Sequence, residues 1–296
     1  MKKHFYGGQA VIEGVMIRGA RNCVVAVRNK NKEIVLNQIK LPSFTNSYLK
    51  KIPFVRGLII LAEMMVIGFR SLTKSSEIIE QSEQNQLSNL EKFFSFIFST
   101  FFVLFVLSVF LLLPLFLSDR IIFFENNFVI NNIIEGLVRL LFFILYVYLI
   151  GLNKDIKRVF AYHGAEHKTI AAYEHNQKLN LNNIDKIQNY NKEHPRCGTS
   201  FIMTVILVSI ILHVFIPREP LLLLYSSRLF LFPIIAGISY ELIRFSSITS
   251  ENYLSKVLSL PNILMQKLTT AEPDEEMVEV AIAAINESIR LDNLNS

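Results

Sequence analysis

Four long apolar stretches divide the chain into alternating nonpolar and polar regions. The clearest covers residues 93–117, where 25 consecutive positions carry no charged side chain. A stretch of this length is sufficient for a helix to cross the hydrocarbon core of a bilayer. Three further apolar stretches predict spanning helices over residues 133–152, 201–216 and 221–243. The pattern therefore predicts about four transmembrane helices, arranged as two hairpins.

A shorter apolar segment precedes the first of these helices. Residues 54–69 are interrupted by Arg56 and Glu63, and their roughly 14 apolar positions are few for an ordinary span. We interpret the segment as an interfacial or re-entrant helix, followed by the polar, helix-compatible residues 70–92 as a connecting helix on the membrane surface. Whether residues 54–69 cross the bilayer stays open at the level of sequence.

The two ends of the chain are polar and predict a small α+β unit. Residues 23–28 and 33–40 are rich in β-branched side chains and flank a polar turn, which indicates a β-hairpin. After Pro273, acidic residues suit a helix N-terminus, and apolar residues then recur with helical spacing. We expect this C-terminal helix to pack against the hairpin. The expected fold class is thus mainly α: a polytopic membrane protein with about four transmembrane helices plus a small α+β cytosolic unit.

Composition supports the membrane class and orients the chain. Hydrophobic residues make up 51% and charged residues 19%, and the mean hydropathy is +0.37, which argues against an ordinary soluble protein. Lys and Arg concentrate in the first 92 residues and in the 153–200 loop, whereas the loops 118–132 and 217–220 hold one each. The positive-inside rule then places both termini and the 153–200 loop in the cytosol, with the protein in the cytoplasmic membrane.

The same rule accounts for the net charge of +5, so the sequence gives no reason to expect nucleic acid as a partner. The expected partners are the lipid bilayer and, as a further class, other membrane proteins; the oligomeric state stays open.

The predicted elements divide the chain into six segments: a β-rich N-terminal unit, the interfacial and connecting helices, a transmembrane hairpin, a cytosolic loop, a second transmembrane hairpin and a C-terminal segment with an amphipathic helix. They cover residues 1–53, 54–92, 93–152, 153–200, 201–245 and 246–296.

The 153–200 loop concentrates side chains that bind metals. His163 and His167 are four residues apart and share one face of a helix, while His194 and Cys197 on a turn could complete a tetrahedral shell. Imidazole and thiolate ligands favour zinc, or another divalent transition metal, over magnesium or calcium. The spacing His-x-x-Glu-His also matches the inverted zinc-peptidase motif, in which the glutamate, here Glu166, is the catalytic base.

Two alternatives stay open for these residues. Glu166 could orient a ligand instead of acting as a base. Without metal, the two histidines of the motif could lie at the membrane interface and bond backbone carbonyls, with Cys197 buried in a turn before the third span. The number of protein ligands would distinguish the roles of a bound metal, because four suggest a structural site and three plus water suggest catalysis.

Four further polar residues are secondary candidates. Glu63 and Glu241 belong to apolar stretches, where a carboxylate is costly unless it faces protein or water. An ion pair with a nearby arginine is the favoured interpretation for each. Glu13 and Arg18 belong to the glycine-rich opening, whose spacing matches no phosphate-binding loop. For the glycines themselves, turns in a packed β-unit are the favoured interpretation.

Several motifs are long enough to be specific. They are GGQAVIEGVM (7–16), HGAEHKT (163–169), HPRCGTSF (194–201), AGISYE (236–241) and QKLTTAEP (266–273). Together they resemble the YqhQ-like family of bacterial multi-pass membrane proteins. That family is described as a domain of unknown function and is sometimes labelled a metal-dependent enzyme. The resemblance supports a metal site and implies no particular reaction. Ala20 and Asn262 stand where the family has proline and glycine, which affects turns and not ligands.

The leading hypothesis is an integral membrane protein with a cytosol-facing metal site and metal-dependent hydrolysis at the membrane surface. The substrate would be lipid-linked or a membrane protein, with Glu166 as base. The alternative is a non-catalytic scaffold, or an assembly or quality-control factor for membrane proteins, with a structural metal or none. An ion transporter is disfavoured because the predicted spans hold few ionisable residues near mid-membrane.

Overall fold

The computed structural model describes residues 6–80, 113–118, 127–194, 197–198, 200–248 and 252–294, with isolated positions between 94 and 109. The chain is mainly helical and has a small antiparallel sheet at its N-terminus. The strands are β1 (Gly7–Val11), β2 (Gly14–Arg18), β3 (Cys23–Arg28) and β4 (Ile34–Gln38). The helices are α1 (Val55–Glu80), α2 (Phe128–Ile150), α3 (Lys154–Glu174), α4 (Ile184–Gln188), α5 (Ser200–His213), α6 (Leu221–Phe230), α7 (Phe232–Ile248), α8 (Tyr253–Thr269) and α9 (Glu275–Leu294). Short 3-10 turns cover Ser43–Asn46, Tyr48–Lys51 and Leu181–Asn183.

The sheet has the order β1-β2-β3-β4, and every pairing is antiparallel. The hairpin of β3 and β4 is the predicted one, but the glycine-rich opening forms two additional strands where turns were expected. Glycine is needed in them because the strands and their neighbours lie close together. A Cβ on Gly8 would lie 2.3 Å from the Met16 carbonyl oxygen, and one on Gly14 would lie 2.1 Å from that of Ala26.

Helices cover both faces of the sheet, so the central strands are buried except at their terminal residues, Arg18 and Arg28. One face, with Met16 and Val25, packs against Ile67 of α1. The other face, with Val15 and Ala26, packs against α3 and α9. Burial on both faces explains why β2 and β3 read as continuous apolar runs and do not alternate with polar residues.

The predicted C-terminal helix is present and packs against the strands, as its periodicity indicated. Asp274 caps its N-terminus by accepting a hydrogen bond from the backbone N–H of Met277 at 2.8 Å. At its other end, Asp292 accepts hydrogen bonds from the backbone N–H of Ala20 at 2.8 Å and from the Asn22 side chain at 2.7 Å. The N- and C-terminal regions therefore form one unit.

Helix α1 differs from the prediction of two separate helices over residues 54–92. It is continuous for 26 residues, and no proline interrupts the junction near residue 70. Its buried stripe runs from Gly57 through Ile67 to Ile78, so the same helix extends onto the sheet. The remainder of the predicted connecting helix, from residue 81, lies outside the described residues.

Among the described residues, one helix is long and apolar enough to cross a membrane. It is α2, whose mean hydropathy reaches 2.2. The segments Leu221–Arg228 and Phe232–Ser246 meet the same criterion only as a pair, and they are bent by 42°. The apolar part of α5, Phe201–His213, is shorter than a span. The predicted span 93–117 lies largely outside the described residues, so the four-span arrangement stays a prediction.

Candidate metal centre

Helix α3 positions the first part of the site. Its N-terminus is capped by Asn153, whose side-chain oxygen accepts a hydrogen bond from the backbone N–H of Asp155 at 2.8 Å. All residues from Ala161 to Ile170 are buried, although the segment contains two histidines, a glutamate and a lysine. Buried polar side chains are unfavourable unless they have hydrogen-bond or metal partners. Their concentration in this segment makes it the candidate functional site.

Three candidate ligand atoms converge here, one each from His163, His167 and Cys197. All three lie within 4.8 Å of one another. His163 Nε2 and Cys197 Sγ are 3.1 Å apart. Zinc bond lengths of about 2.0–2.1 Å to nitrogen and about 2.3 Å to sulfur imply ligand–ligand separations of about 3.3–3.6 Å in a tetrahedral site. Adjustments on the order of an ångström would therefore bring the three atoms around one ion.

Backbone carbonyls fix the orientation of both imidazole rings. His163 Nδ1 lies 2.9 Å from the Thr269 carbonyl oxygen, and His167 Nδ1 lies 2.5 Å from that of Lys192. A carbonyl oxygen can only accept, so each Nδ1 carries the proton and each Nε2 presents its lone pair. This is the arrangement that metal-binding histidines adopt, with the second nitrogen donating to a carbonyl or carboxylate.

Glu166 lies beside the same two lone pairs. Its Oε2 is 3.7 Å from His167 Nε2 and 4.0 Å from His163 Nε2. Glu166 Oε2 and His167 Nε2 are buried and make no hydrogen bond to any described residue. Leaving two such atoms unsatisfied is unfavourable. A metal ion bound at His167 Nε2, together with a water that donates a hydrogen bond to Glu166 Oε2, would satisfy both. The residues present therefore fit a metal ion.

Burial also shifts the pKa values of two groups in the site. It raises the pKa of the Glu166 carboxyl group and lowers the pKa of the His167 imidazole, because each charged form is poorly solvated. A neutral imidazole is the form that binds metal. A carboxyl group with a raised pKa exchanges a proton more readily near neutral pH, as a general base requires.

A cavity of about 260 Å³ opens beside the cluster. Glu166, His167 and Cys197 line one part of it, and Gly7 and Gly8 of β1 line another. The cavity gives a small molecule, or part of a larger one, access to the ligand atoms.

His194 does not join the three converging atoms, contrary to the four-ligand prediction. Its Nε2 lies 3.1 Å from Glu174 Oε2, and its ring centroid is 5.8 Å from that of His167. The backbone of His194 is held by Gln266, which accepts its N–H at 2.7 Å and donates to its carbonyl oxygen at 2.9 Å. The described part of the chain therefore supplies three candidate ligands.

The secondary candidates form ion pairs away from the three ligand atoms. Glu63 pairs with Arg18 at 3.1 Å and also with Lys50. Glu241 accepts a hydrogen bond from Arg56 Nε at 2.7 Å. These contacts agree with the favoured ion-pair interpretation: Arg56 pairs with Glu241, while Glu63 pairs with Arg18 and Lys50.

Glu13 occupies the tight turn between β1 and β2, with φ of 51°. It forms a two-pronged ion pair with Arg158, with oxygen–nitrogen distances of 2.6 and 2.5 Å. Arg18 lines the cavity, but its guanidinium group is engaged by Glu63 and by the carbonyl oxygen of Asn22 at 3.1 Å. Neither residue contacts the converging histidines, so both are best described as supporting the fold.

The sequence alone did not indicate the residues that hold the ligands in place. Gln266 is fully buried and fixes the segment that leads to Cys197. The Thr269 carbonyl orients His163, and Gly164 allows the adjacent backbone to approach, since a Cβ there would lie 2.2 Å from the Ala271 carbonyl oxygen. The motif at 266–273 was the available signal, because it contains Gln266, Thr269 and Ala271 but no histidine or cysteine.

The fold and site thus define a mainly helical protein with a buried histidine–cysteine cluster at the edge of a small sheet. The family model described as "Protein of unknown function (DUF1385)" matches residues 52–291, and the chain belongs to this family. It is 38% identical over 321 aligned residues to the "Uncharacterized protein YqhQ" of Bacillus subtilis (strain 168), covering 100% of this chain and 96% of that protein. No solved structure matches. The resemblance noted from the sequence motifs is confirmed.

Proposed function

We propose that His163, His167 and Cys197 hold zinc, or another divalent transition metal, in an integral protein of the cytoplasmic membrane. The observation that carries this proposal is the orientation of the two imidazoles. Both Nδ1 atoms are bonded to backbone carbonyls, so both Nε2 lone pairs are available beside the Cys197 sulfur. In a histidine pair that served only the packing of the core, nothing would require this shared direction.

The proposed reaction is metal-dependent hydrolysis. A bound zinc ion would polarise the substrate's acyl or phosphoryl oxygen and lower the pKa of water. Glu166 would accept the proton released from that water, since its carboxylate faces the ligand atoms and burial raises its pKa. The cavity beside Glu166 would admit the scissile group of the substrate.

The membrane placement rests on composition and on the apolar helices. Helix α2 exposes most of its apolar window, of which only 17% is buried, and burial in lipid would remove this surface from water. With α5, α6 and α7 also in the bilayer, the metal centre would lie on the cytosolic side, where Cys197 stays reduced. Lipid or other membrane proteins would then be the natural source of substrates.

Whether the metal has an open coordination position can be tested without a known substrate. Purified protein is loaded with cobalt(II), and its visible absorption spectrum is recorded while acetohydroxamate, a small metal-binding anion, is added. We expect a saturable spectral change, because three protein ligands leave one position free. The Glu166→Gln variant should retain cobalt and the spectral change, since Glu166 is proposed as base and not as ligand. A spectrum unaffected by acetohydroxamate would contradict the hydrolase proposal.

The second candidate function is non-catalytic. The cluster connects three segments that are distant in sequence, because α3 is bonded through its histidines to the Lys192 carbonyl and to the end of α8. A metal there would stabilise a cytosolic unit used for scaffolding or for assembly of membrane proteins. A cobalt spectrum that does not change with acetohydroxamate, together with loss of stability on metal removal, would favour this alternative.

A further inference from the structure

Three arginines surround one buried glutamate near the beginning of α2. Glu135 is 2% exposed, and its Oε1 accepts a hydrogen bond from Arg139 Nη2 at 2.7 Å. Its Oε2 accepts from Arg228 Nη2 at 2.8 Å and from Arg218 Nη1 at 3.1 Å. The arginine side chains are 9–14% exposed. We call these four residues the arginine cluster.

Arg139 and Arg228 share a single buried counter-charge in the described part of the chain. Arg139 and Arg228 both form their ion pair with Glu135, and one carboxylate balances only one guanidinium group. Among the described residues, Glu135 is the one carboxylate paired with Arg139 and Arg228, so these two arginines leave one positive charge in excess. Arg139 Nε is also buried and makes no hydrogen bond to any described residue. A buried cation without a counter-charge is strongly unfavourable, so an anion is expected close to these groups.

Several features of the arginine cluster suit a phosphate group. Guanidinium groups form paired hydrogen bonds with phosphate oxygens, and Arg139 retains an unused buried donor. The cluster also lies away from the metal centre. Glu135 precedes the end of α2 at Ile150 by 15 residues, which corresponds to about 22 Å along the helix axis. In the proposed orientation this is the non-cytosolic end of the helix, where lipid headgroups begin.

We propose that the arginine cluster binds a phosphate-bearing anion, supplied either by the headgroup of an anionic lipid or by inorganic phosphate. Asn132 helps to define the site. Its side-chain amide donates hydrogen bonds to the carbonyl oxygens of His213 at 2.9 Å and Ile216 at 2.8 Å, which holds the end of α5 against α2. Arg218 follows directly on this fixed segment. The proposal is independent of the metal centre and of its chemistry.

The test measures the thermal unfolding midpoint of the full chain, purified in a neutral detergent, at constant ionic strength. One arm adds inorganic phosphate, with sodium chloride as its control. The other adds phosphatidylglycerol in mixed micelles, with phosphatidylcholine, whose phosphate is balanced by a cation, as its control. A ligand that binds only the folded protein raises the midpoint in a saturable manner. A response to inorganic phosphate identifies free phosphate as a sufficient ligand, and a response to phosphatidylglycerol alone identifies the lipid headgroup.

Arg139→Gln separates binding from a purely structural role. This variant removes the excess charge, so we expect its midpoint without ligand to equal or exceed that of the wild type. Its apparent affinity for the anion should fall at least tenfold. Arg139→Lys, which keeps the charge but loses the guanidinium geometry, should be intermediate. Arg290→Gln, at an exposed pair with Glu287 on α9, is the matched control and should respond like the wild type.

Two results would overturn the proposal. One is a wild-type midpoint that responds to neither phosphate nor phosphatidylglycerol beyond its control. The other is an equal, saturable response in the wild type, Arg139→Gln and Arg139→Lys, which would place the anion elsewhere on the protein.

Discussion

Gln266 is expected to control metal affinity although it offers no metal-binding atom. Its side chain is fully buried and bonds both the N–H and the carbonyl oxygen of His194, three residues before Cys197. Gln266→Ala removes both described hydrogen bonds to the His194 backbone, each contributing about 1 kcal/mol, and leaves those two backbone groups without these partners at about 1–3 kcal/mol each. Because the two freed backbone groups of His194 can bond water instead, we expect a net loss of about 2–4 kcal/mol.

That loss should appear mainly as weaker zinc binding. Without Gln266, metal binding must supply the free energy that the His194 hydrogen bonds supplied, so zinc affinity should fall about 30- to 700-fold. The measurement is a competition titration of the purified protein against a chromogenic zinc chelator. Gln38→Ala, at an exposed position on β4, is the matched control and should bind zinc like the wild type. Wild-type zinc affinity in Gln266→Ala would refute the idea that the hydrogen bonds between Gln266 and His194 organise the site.

Three further predictions concern stability and access. Burial raises the pKa of the Cys23 thiol to about 12, so the folded chain retains a proton that the unfolded chain loses above about 9. Thermal stability should therefore decline less steeply in Cys23→Ala than in the wild type as the pH rises through this window, and equal slopes would contradict the shift. Gly164→Ala should destabilise by about 1–3 kcal/mol in thermal unfolding, because its Cβ would meet the Ala271 carbonyl oxygen at 2.2 Å; an unchanged midpoint would show that the backbone adjusts freely. Gly198 lines the cavity, and no described atom lies within 4 Å of its Cβ position. Gly198→Val should thus keep the wild-type midpoint and weaken acetohydroxamate binding to the cobalt form, whereas undiminished binding would mean that ligands enter elsewhere.

Local sequence signals predicted the elements that local interactions determine. The C-terminal helix follows Pro273, has acidic residues in its first turn and repeats its apolar residues with the period of a helix. These signals predicted both the helix and the face that it buries. Strands β1 and β2 were missed because glycine has low strand propensity. Their formation depends on pairing with β3 and on cover from two helices, which a local pattern does not show.

The candidate site was predictable in part for a similar reason. His163 and His167 share a helix face through their spacing, and Cys197 was identified by its chemistry. His194 was grouped with them because it is close to Cys197 in sequence, but its direction is set by Gln266 and by Glu174 across the fold. Carbonyl groups that orient a ring cannot be read from sequence, since every residue carries one.

The arginine cluster shows the same limit for charged residues. The pair of Glu135 and Arg139 was visible at a spacing of four. Arg218 and Arg228 join it only because α2, α5 and α6 meet there, which the sequence did not predict.

Metal content tests the central claim most directly. The protein is purified without chelators, and zinc and other transition metals are quantified by mass spectrometry for the wild type and for matched variants. The three-ligand centre predicts about one metal per wild-type chain, little or none in His163→Ala and Cys197→Ser, and retained metal in Glu166→Gln and His194→Ala. A wild type without stoichiometric metal, or a Cys197→Ser variant that retains it fully, would contradict the proposed centre.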